Sequence, residues 1–199
     1  MASTINAITT GVGGIVSTAD NSGNLNIQSA GTTIVAVTST GAAVTGTLSA
    51  SGGIAKASLP TGSVLQVVNA SYGVTVTNST TTYADTGTTA TITPTSATSK
   101  ILVLVNQAGL QKGNSSATNG VNLRLLRNST ELIVFTMYAA WDNTVNYAVA
   151  GSGSTSFLDS PATTSATTYK TQLACSGTGS AYVNAQGDTS TITLMEIAA

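Results

Sequence analysis

The residues that carry most enzymatic chemistry are scarce in this chain of 199 residues, which has no histidine and a single cysteine. Without histidine, the usual zinc sites and the catalytic triads built on an imidazole are unavailable. Cys175 ends the alternating run Thr171–Cys175, a pattern typical of a small buried thiol rather than of a nucleophile. We therefore expect a protein that is not an enzyme and that has no metal site and no cofactor.

Two carboxylates, Asp159 and Asp188, lie at turn signals and are the remaining candidates for acid and base catalysis. A glycosidase or depolymerase needs such a pair on either side of a cleft. Because aspartate at a turn commonly binds backbone amides, we expect both residues to cap turns. The segment Asp20–Asn24 is also predicted to be a turn, since it lacks the second carboxylate and the distant glutamate of a calcium loop.

Aromatic side chains are the groups best suited to recognition in this chain. Trp141 lies in a loop predicted between two strands, where its ring can stack on a sugar while neighbouring polar side chains bind the hydroxyls. The predicted receptor contact comprises Tyr138, Trp141, Asp142, Asn143 and Tyr147. The alternative is that Trp141 packs beneath the loop or against a neighbouring chain.

The distribution of charge excludes a nucleic-acid partner. Six Lys or Arg are scattered along the chain against seven Asp or Glu, for a net charge of −1, whereas nucleic-acid binding needs clustered basic side chains. No stretch approaches the roughly 18 consecutive apolar residues of a membrane span, and the opening residues lack the basic region and apolar core of a secretion signal. We expect a soluble product, made in the cytosol, with no membrane partner.

Composition favours an all-β fold. The chain has 37 Thr and 24 Ser, and β-branched threonine prefers strands, whereas a helical chain would need many Glu, Lys, Leu and Arg. Apolar residues make up 41% of the chain and cluster in alternating runs such as Ile101–Val105. These runs favour a folded chain over a disordered one.

The amino-acid composition changes near Ser51 to Ser63, where glycine and proline concentrate. Residues 1–55 have no aromatic side chain and one charge, and short apolar groups recur there between turn formers. We predict an N-terminal β stem over residues 1–55, a linker over 56–63 and a C-terminal head over 64–199.

A stem of this composition cannot hold itself together as a single chain. Its short strands bury too little apolar surface to offset a backbone entropy of about 1–2 kcal/mol per residue. Three copies about one axis, with Ile, Val and Leu inward and Thr and Ser outward, would share a core. We therefore predict a short-strand, intertwined trimeric stem.

Longer runs after Ser63 predict about eight to ten strands, the number found in an antiparallel β-sandwich or jelly roll. Turn signals between the runs include Asp85–Gly87 and Gly151–Gly153. We place strands near Val64–Asn69, Val74–Thr77, Thr89–Thr93, Lys100–Leu110, Val121–Arg127, Glu131–Ala139, Val145–Ala150, Ser154–Leu158, Thr168–Cys175 and Ser190–Ile197.

Alternation along these strands predicts which faces are buried. Val121, Leu123 and Leu125 point to one side of their strand, and the residues between them point to the other. The run Lys100–Leu110 is apolar on both faces, which favours a strand covered by its own sheet on one side and by a second subunit on the other. Its alternative is a central strand of a monomeric sandwich. Arg124 and Arg127 are predicted to pair with Glu131.

Several stretches resemble phage virion proteins of the fibre and surface-decoration type. Gly13–Thr33 is similar to the leader of tail-fibre-like proteins, and Val44–Gly52 is similar to a repeat of their stems. Leu158–Lys170 and Thr191–Ile197 resemble the head domain of the same group.

The resemblance implies a homotrimer located in the virion and synthesised in the host cytoplasm, with its N-terminus on the particle and its head projecting outward. Other virion proteins would be its partners, either at the tail hub or baseplate or on the major capsid protein. The candidate residues for anchoring the stem are Thr4, Ile5, Ile8, Ile15 and Val16.

We expect a non-enzymatic short tail fibre that displays three heads for adhesion to the host surface, where a glycan is a candidate partner and multivalency adds up weak contacts. The alternative is a capsid decoration or cement protein, a head fibre that stabilises the icosahedral shell. Two further alternatives are a polysaccharide-degrading tailspike and a monomeric secreted adhesin. The scarcity of catalytic residues argues against the tailspike, and the weak stem argues against the monomeric adhesin.

Overall fold

The computed structural model of the protein describes residues 25–47, 54–55, 59–113, 118–142 and 144–199. Strands make up 61% of the described residues, which include no α-helix, and the sheets are antiparallel. The predicted all-β class is therefore confirmed. The chain divides into two compact units, Met1–Ile54 and Ala55–Ala199, here called unit 1 and unit 2.

The described part of unit 1 is a three-stranded antiparallel meander of β1 (Leu25–Ser29), β2 (Thr32–Thr38) and β3 (Gly41–Val44). Tight turns join the strands at the predicted turn formers. At the first turn, Ala30 and Gly31 have φ angles of 50° and 76°, in the left-handed region that glycine adopts readily. Local turn chemistry thus sets the strand order of this sheet.

One face of this meander is mostly apolar. Leu25 pairs with Val37, and Ile27 pairs with Val35, which in turn faces Val44 on the third strand. None of the residues 25–47 whose exposure is described is buried. The apolar face of unit 1 comprises Leu25, Ile27, Val35, Val37, Ala42 and Val44.

Unit 2 contains ten strands among its described residues. They are β4 (Val64–Tyr72), β5 (Val76–Asn78), β6 (Ala84–Ile92), β7 (Lys100–Lys112), β8 (Val121–Arg127), β9 (Thr130–Ala139), β10 (Ala148–Asp159), β11 (Thr167–Cys175), β12 (Ala181–Val183) and β13 (Ser190–Ile197). Predicted strands at β8 and β13 have the observed bounds.

These strands form two antiparallel sheets that pack as a sandwich. The four-stranded sheet has the order β6-β11-β8-β9. In the six-stranded sheet, the long strand β7 pairs with β10 along one edge. Along its other edge, β7 pairs first with β13 and then with β12, and β4 and β5 continue the sheet outward from these two strands.

Side chains from both sheets meet in a closed apolar core. Each fully buried Val, Leu or Ile contributes about 1.5–3 kcal/mol relative to an exposed one. One cluster contains Ala90, Ile92, Ile101, Val103, Val105, Leu125, Tyr169, Ile192 and Leu194. The other contains Leu110, Val121, Leu123, Leu173, Cys175, Ala181 and Val183. The predicted burial of Val121, Leu123, Leu125 and Cys175 is confirmed.

A chain of buried polar side chains runs between the two apolar clusters. Thr171 donates from Oγ1 to Gln107 Oε1 at 2.7 Å, and Gln107 donates from Nε2 to Ser190 Oγ at 2.6 Å. Ser190 then donates to Asn184 Oδ1, whose amide binds the carbonyl of Val74 at 3.0 Å. Burying a polar group without a partner lowers the stability of the fold. This series of hydrogen bonds therefore favours one register of the two sheets.

The connections of unit 2 gather at two opposite ends of the sandwich. At the far end, Gly113 N donates to Ser180 O at 2.7 Å and Ser176 N donates to Gly120 O at 2.9 Å. At the entry end, where the chain reaches β4, Gly62 N donates to Ala198 O at 2.8 Å. The start of β4 and the end of β13 therefore lie at the end opposite to the β9–β10 loop.

Two predicted turns proved wrong because they are irregularities inside strands. Asp85–Gly87 belongs to β6, where the pairing with β11 shifts and Gly87 has a φ of 84°. A Cβ at Gly87 would lie 2.3 Å from the Tyr72 ring, so the glycine admits that ring. Gly151–Gly153 lies inside β10, at two register shifts against β7. Bulges use glycine for the same backbone reason as turns do.

Two further points concern a short strand and the residues outside the described ranges. Strand β12, with only three residues, was not predicted because it has too few residues to show alternation. The anchoring candidates Thr4, Ile5, Ile8, Ile15 and Val16 lie outside the described residues. The anchoring role and the trimeric stem therefore stay predictions.

Candidate functional site

The loop between β9 and β10 presents exposed aromatic side chains at the far end. Tyr138 and Ala140 have φ angles of 57° and 60°, and Trp141 N donates to Tyr138 O at 3.1 Å. This turn leaves Tyr138 55% exposed and Trp141 52% exposed. The interpretation that Trp141 packs beneath its own loop is therefore wrong, because the strained turn directs the ring outward.

Lys112 at the end of β7 holds this loop in place. Its side chain is fully buried, and Nζ donates to Asp142 Oδ1 at 2.7 Å and to the carbonyl of Thr144 at 2.5 Å. The same Asp142 oxygen accepts from the backbone N and from Oγ1 of Thr144, at 2.7 and 2.9 Å. The hydrogen bonds from Lys112 and Thr144 lower the pKa of Asp142 to about 2. Asp142 thus fastens the loop.

A groove lies beside the loop, on the outer face of the six-stranded sheet. Its floor is Gln111, which faces Val149 on β10 and Tyr182 on β12 in the strand register. Tyr147, at the end of the loop, closes one side with its ring centroid 6.4 Å from that of Tyr182 and the planes inclined by 56°. The groove has a volume of about 400 Å³, and Thr75 and Gln186 complete its rim.

The floor of the groove offers an amide group. Gln111 is only 7% exposed, and its Oε1 accepts from Gln186 Nε2 at 3.4 Å. Its Nε2 group is not among the described buried atoms that lack a partner, so it is open to the groove. Gln186 reaches this position because its backbone has a φ of 61° in the short turn after β12.

The structure divides the predicted contact residues into two groups. Tyr138 and Trp141 belong to one exposed turn, whereas Tyr147 lines the groove. Asp142 is engaged by Lys112, and Asn143 lies outside the described residues. Sequence reasoning missed Gln111, Gln186 and Tyr182, because nothing local signals that strands far apart in the chain are neighbours.

Asp159 is not the turn cap that its position before Ser160-Pro161 predicts. Its carboxylate is buried and accepts from Arg127 Nη1 at 2.8 and 2.9 Å and from the Tyr169 hydroxyl at 2.6 Å. Burial, together with this hydrogen bond, raises the pKa of Tyr169. The residue joins three strand ends at the entry end. Asp188, by contrast, is exposed in the turn before β13.

Glu196 is a second buried carboxylate at the entry end. Burial alone would raise its pKa, but hydrogen bonds from Thr95 at 2.7 Å and from Gln66 at 2.6 Å outweigh burial and lower it. The two buried carboxylates are each fully committed to structural partners. Among the described residues, no group of three or more His, Cys, Asp or Glu is placed to hold a metal ion.

Two ion pairs lie on the outer face of the four-stranded sheet. Arg124 binds Glu131 at 2.8 Å, as predicted, and its guanidinium lies 4.1 Å from the centre of the Tyr83 ring. Lys170 binds Asp85 at 2.8 Å on the same face. Arg127 does not join Glu131, since it binds Asp159 instead. This face is therefore polar and covered with exposed ion pairs.

The outer face of the six-stranded sheet differs, since it carries an apolar row. Val67, Met195, Leu102 and Leu158 are successive partners across four strands. Val67 and Leu158 are exposed, and Leu104 is exposed in the next row. We call these five residues the apolar row of unit 2. The apolar second face expected for the strand Lys100–Leu110 is thus present on the outside of the sheet.

No helix in the described part of the chain is long and apolar enough to cross a membrane. No family model matches the sequence. No curated protein matches it either.

Proposed function

We propose that the protein is a non-enzymatic structural protein of a phage virion, a homotrimeric short tail fibre anchored by its N-terminus and displaying a head for adhesion to the host surface. The virion assignment rests on the resemblance of the leader, stem and head sequences. The observation that carries the proposal is the apolar face of unit 1, whose side chains are not buried by the described residues, because a stem needs copies of itself to cover such a face.

Copies of the same chain are the occupants that this face favours. The strands of residues 25–47 carry no charged residue, so stacking copies brings no like charges together. The opposite face combines Asn26, Ala36 and Ala43 with one larger apolar residue, the half-buried Ile34. Three copies with their apolar faces inward would bury Leu25, Ile27 and Val35 in one shared core.

The head contributes a second contact of the same kind. Its four-stranded sheet is lined outside by ion pairs that suit solvent, whereas the apolar row of unit 2 suits a neighbouring head. We further propose that unit 2 is a jelly roll. The strand orders β4-β13-β7-β10 and β6-β11-β8-β9, with the chain crossing repeatedly between the two sheets, support this assignment.

The two ends of unit 2 support display. The chain enters at one end, and the aromatic loop and groove lie at the other. Three copies of the far end in one trimer would add their individual contacts at a cell surface.

Light scattering of the full-length chain tests the assembly. We expect a molar mass three times 19.7 kDa. Ala42 and Ala43 provide a matched pair, because both are exposed on β3 and they point to opposite faces. Ala42→Glu, on the apolar face, should lower the mass toward that of one chain, whereas Ala43→Glu should not. A monomeric wild type, or equal behaviour of the two variants, would contradict the trimeric stem.

The capsid decoration protein remains the second candidate, because the charge-free apolar face of unit 1 would also fit against an apolar surface of a shell protein. Counting copies in purified particles separates the two roles. A tail fibre should occur in a small multiple of three, whereas a cement protein should occur in hundreds of copies. Labelling the C-terminus and imaging particles should place the label on the tail for the first role and on the shell for the second.

A further inference from the structure

We infer that the groove between Tyr147 and Tyr182 binds an uncharged sugar ring, with the Gln111 amide on its floor as a hydrogen-bond donor. This inference rests on the adhesive role proposed above and names the ligand class and the site. It replaces the predicted contact at Tyr138 and Trp141 by a site built from three strands and the turn after β12.

The walls of the groove suit the apolar face of a sugar. The two tyrosine rings form a corner, 6.4 Å between centroids and inclined by 56°, so that one ring can lie under a bound pyranose while the other borders its edge. Val149 extends the apolar wall on the next strand. Aromatic surface with a few placed polar groups is the usual composition of small-molecule sites, and about 400 Å³ lies within their range of about 300–1,000 Å³.

The floor supplies the polar contacts that a hydroxyl requires. Gln111 is 7% exposed, and its Nε2 group is not among the buried atoms that lack a partner, so it is open to the groove. A ligand oxygen above it can replace water as the acceptor of this hydrogen bond. Gln186 at the rim provides a second amide, exposed to solvent.

The absence of charge selects the class of ligand. None of the described residues that line the groove is charged. The nearby Lys112 ammonium is buried on the other side of the strand and binds Asp142. An anionic sugar would therefore meet no cation, and a basic ligand would meet no anion, whereas a neutral sugar loses only hydration that amides can replace.

The groove and the proposed head contact can operate together. Leu102 of the apolar row and Gln111 of the groove lie on the same strand, nine residues apart in the numbering. At about 3.3 Å per residue, the two positions are roughly 30 Å apart. A neighbouring head on the apolar row would therefore leave the groove accessible at the far end.

Saturation-transfer NMR and calorimetry on the full-length chain test this inference. The probes are glucose, galactose, mannose, rhamnose and N-acetylglucosamine, with glucuronic acid and sialic acid as charged comparisons. We expect at least one neutral sugar to bind and both acids to bind more weakly. Tyr147→Ala and Gln111→Leu should each weaken binding about tenfold or more.

Tyr138→Ala is the matched control, since Tyr138 and Tyr147 are equally exposed, at 55%, and only Tyr147 lines the groove. It should leave binding unchanged. If Gln111→Leu does not fold, Gln186→Ala at the exposed rim takes its place and should weaken binding severalfold. Circular dichroism establishes that each variant retains the sheet structure.

The outcomes separate this inference from the proposed function. Binding of none of the neutral sugars overturns the sugar site. Binding that is lost in Tyr138→Ala or Trp141→Ala but retained in Tyr147→Ala overturns the groove, while adhesion through the loop survives. Sugar binding in the groove by particles that do not use this protein to attach to cells would support the site and contradict the adhesive role.

Discussion

The same leucine side chain meets opposite environments in the two units: Leu25 is 53% exposed on β1, whereas Leu194 is fully buried on β13. Both lie on strands with apolar residues at every second position. The difference is that β13 packs against a second sheet, whereas no second sheet covers β1 among the described residues. Alternation creates an apolar face, but only a second layer turns that face into a core.

The charges follow the same division. Residues 25–47 contain none, and unit 2 pairs its buried charges, such as Asp159 with Arg127. A neutral, uncovered face can be covered by copies of itself, whereas a closed sandwich has to satisfy its polar groups internally. Unit 2 thus encloses its core with its own two sheets, whereas the described strands of unit 1 leave their apolar side chains at least partly exposed.

The largest expected effect tests this difference directly by making one substitution in both units. Leu194→Ala should lower the free energy of unfolding of unit 2 by about 2–5 kcal/mol, because it removes a fully buried side chain and leaves a cavity. Leu25→Ala should leave that unfolding unchanged and shift the assembly toward single chains. Chemical denaturation and light scattering measure the two effects. A similar loss of unit 2 stability in both variants would break the comparison.

Asp159→Asn should have the next largest effect. It removes the charge that binds Arg127 and weakens the acceptor of the Tyr169 hydroxyl, and we expect a loss of about 1–3 kcal/mol because Arg127 is partly exposed. Asp188→Asn, at an exposed turn, is the control and should change stability by less than about 0.5 kcal/mol. Equal effects would mean that Asp159 acts only as a turn residue.

Acidification should release the far-end loop without opening the core. The pKa of Asp142 is depressed from its ordinary value near 4 to about 2, so its contribution is present above pH 4 and is lost as the pH falls through about 2. The fluorescence of Trp141, the only tryptophan, should stay constant from pH 7 to about pH 4 and change near pH 2. Asp142→Asn should lack this transition. A midpoint near pH 4 would contradict the role of Lys112.

The smallest effect is expected on the outer face of the four-stranded sheet. Glu131→Gln removes one partner of the exposed Arg124 pair and should cost about 0–1 kcal/mol. The loss should shrink in high salt, because salt screens exposed pairs. A loss as large as that of Asp159→Asn would show that this face is covered in the assembly, which would place the neighbouring head there rather than on the apolar row.

Much of the fold follows from local pattern. The bounds of β8 and the inward direction of Leu123 and Leu125 come from alternation, and the turn at Ala30-Gly31 comes from residues that tolerate positive φ. The turns predicted at Gly87 and Gly151 were wrong, because a bulge inside a strand uses glycine just as a turn does. Local pattern cannot tell which of the two occurs.

The candidate site followed from the sequence only in part. Exposed aromatic residues in a loop after β9 could be predicted, since Tyr138, Trp141 and Tyr147 lie close together in the chain. The burial of Asp159 could not, because its partners come from β8 and β11. Whether a carboxylate at a strand end caps a turn or forms an ion pair depends on which side chains of the neighbouring strands lie beside it.

The sequence by itself determined that the chain forms strands and which side chains share a face, because these properties depend on residues close together along the chain. Tertiary structure alone decided that Tyr147 meets Tyr182 over Gln111. That meeting depends on β7 pairing with β10 on one edge and with β12 on the other, and such pairing is selected by the packing of the whole sandwich.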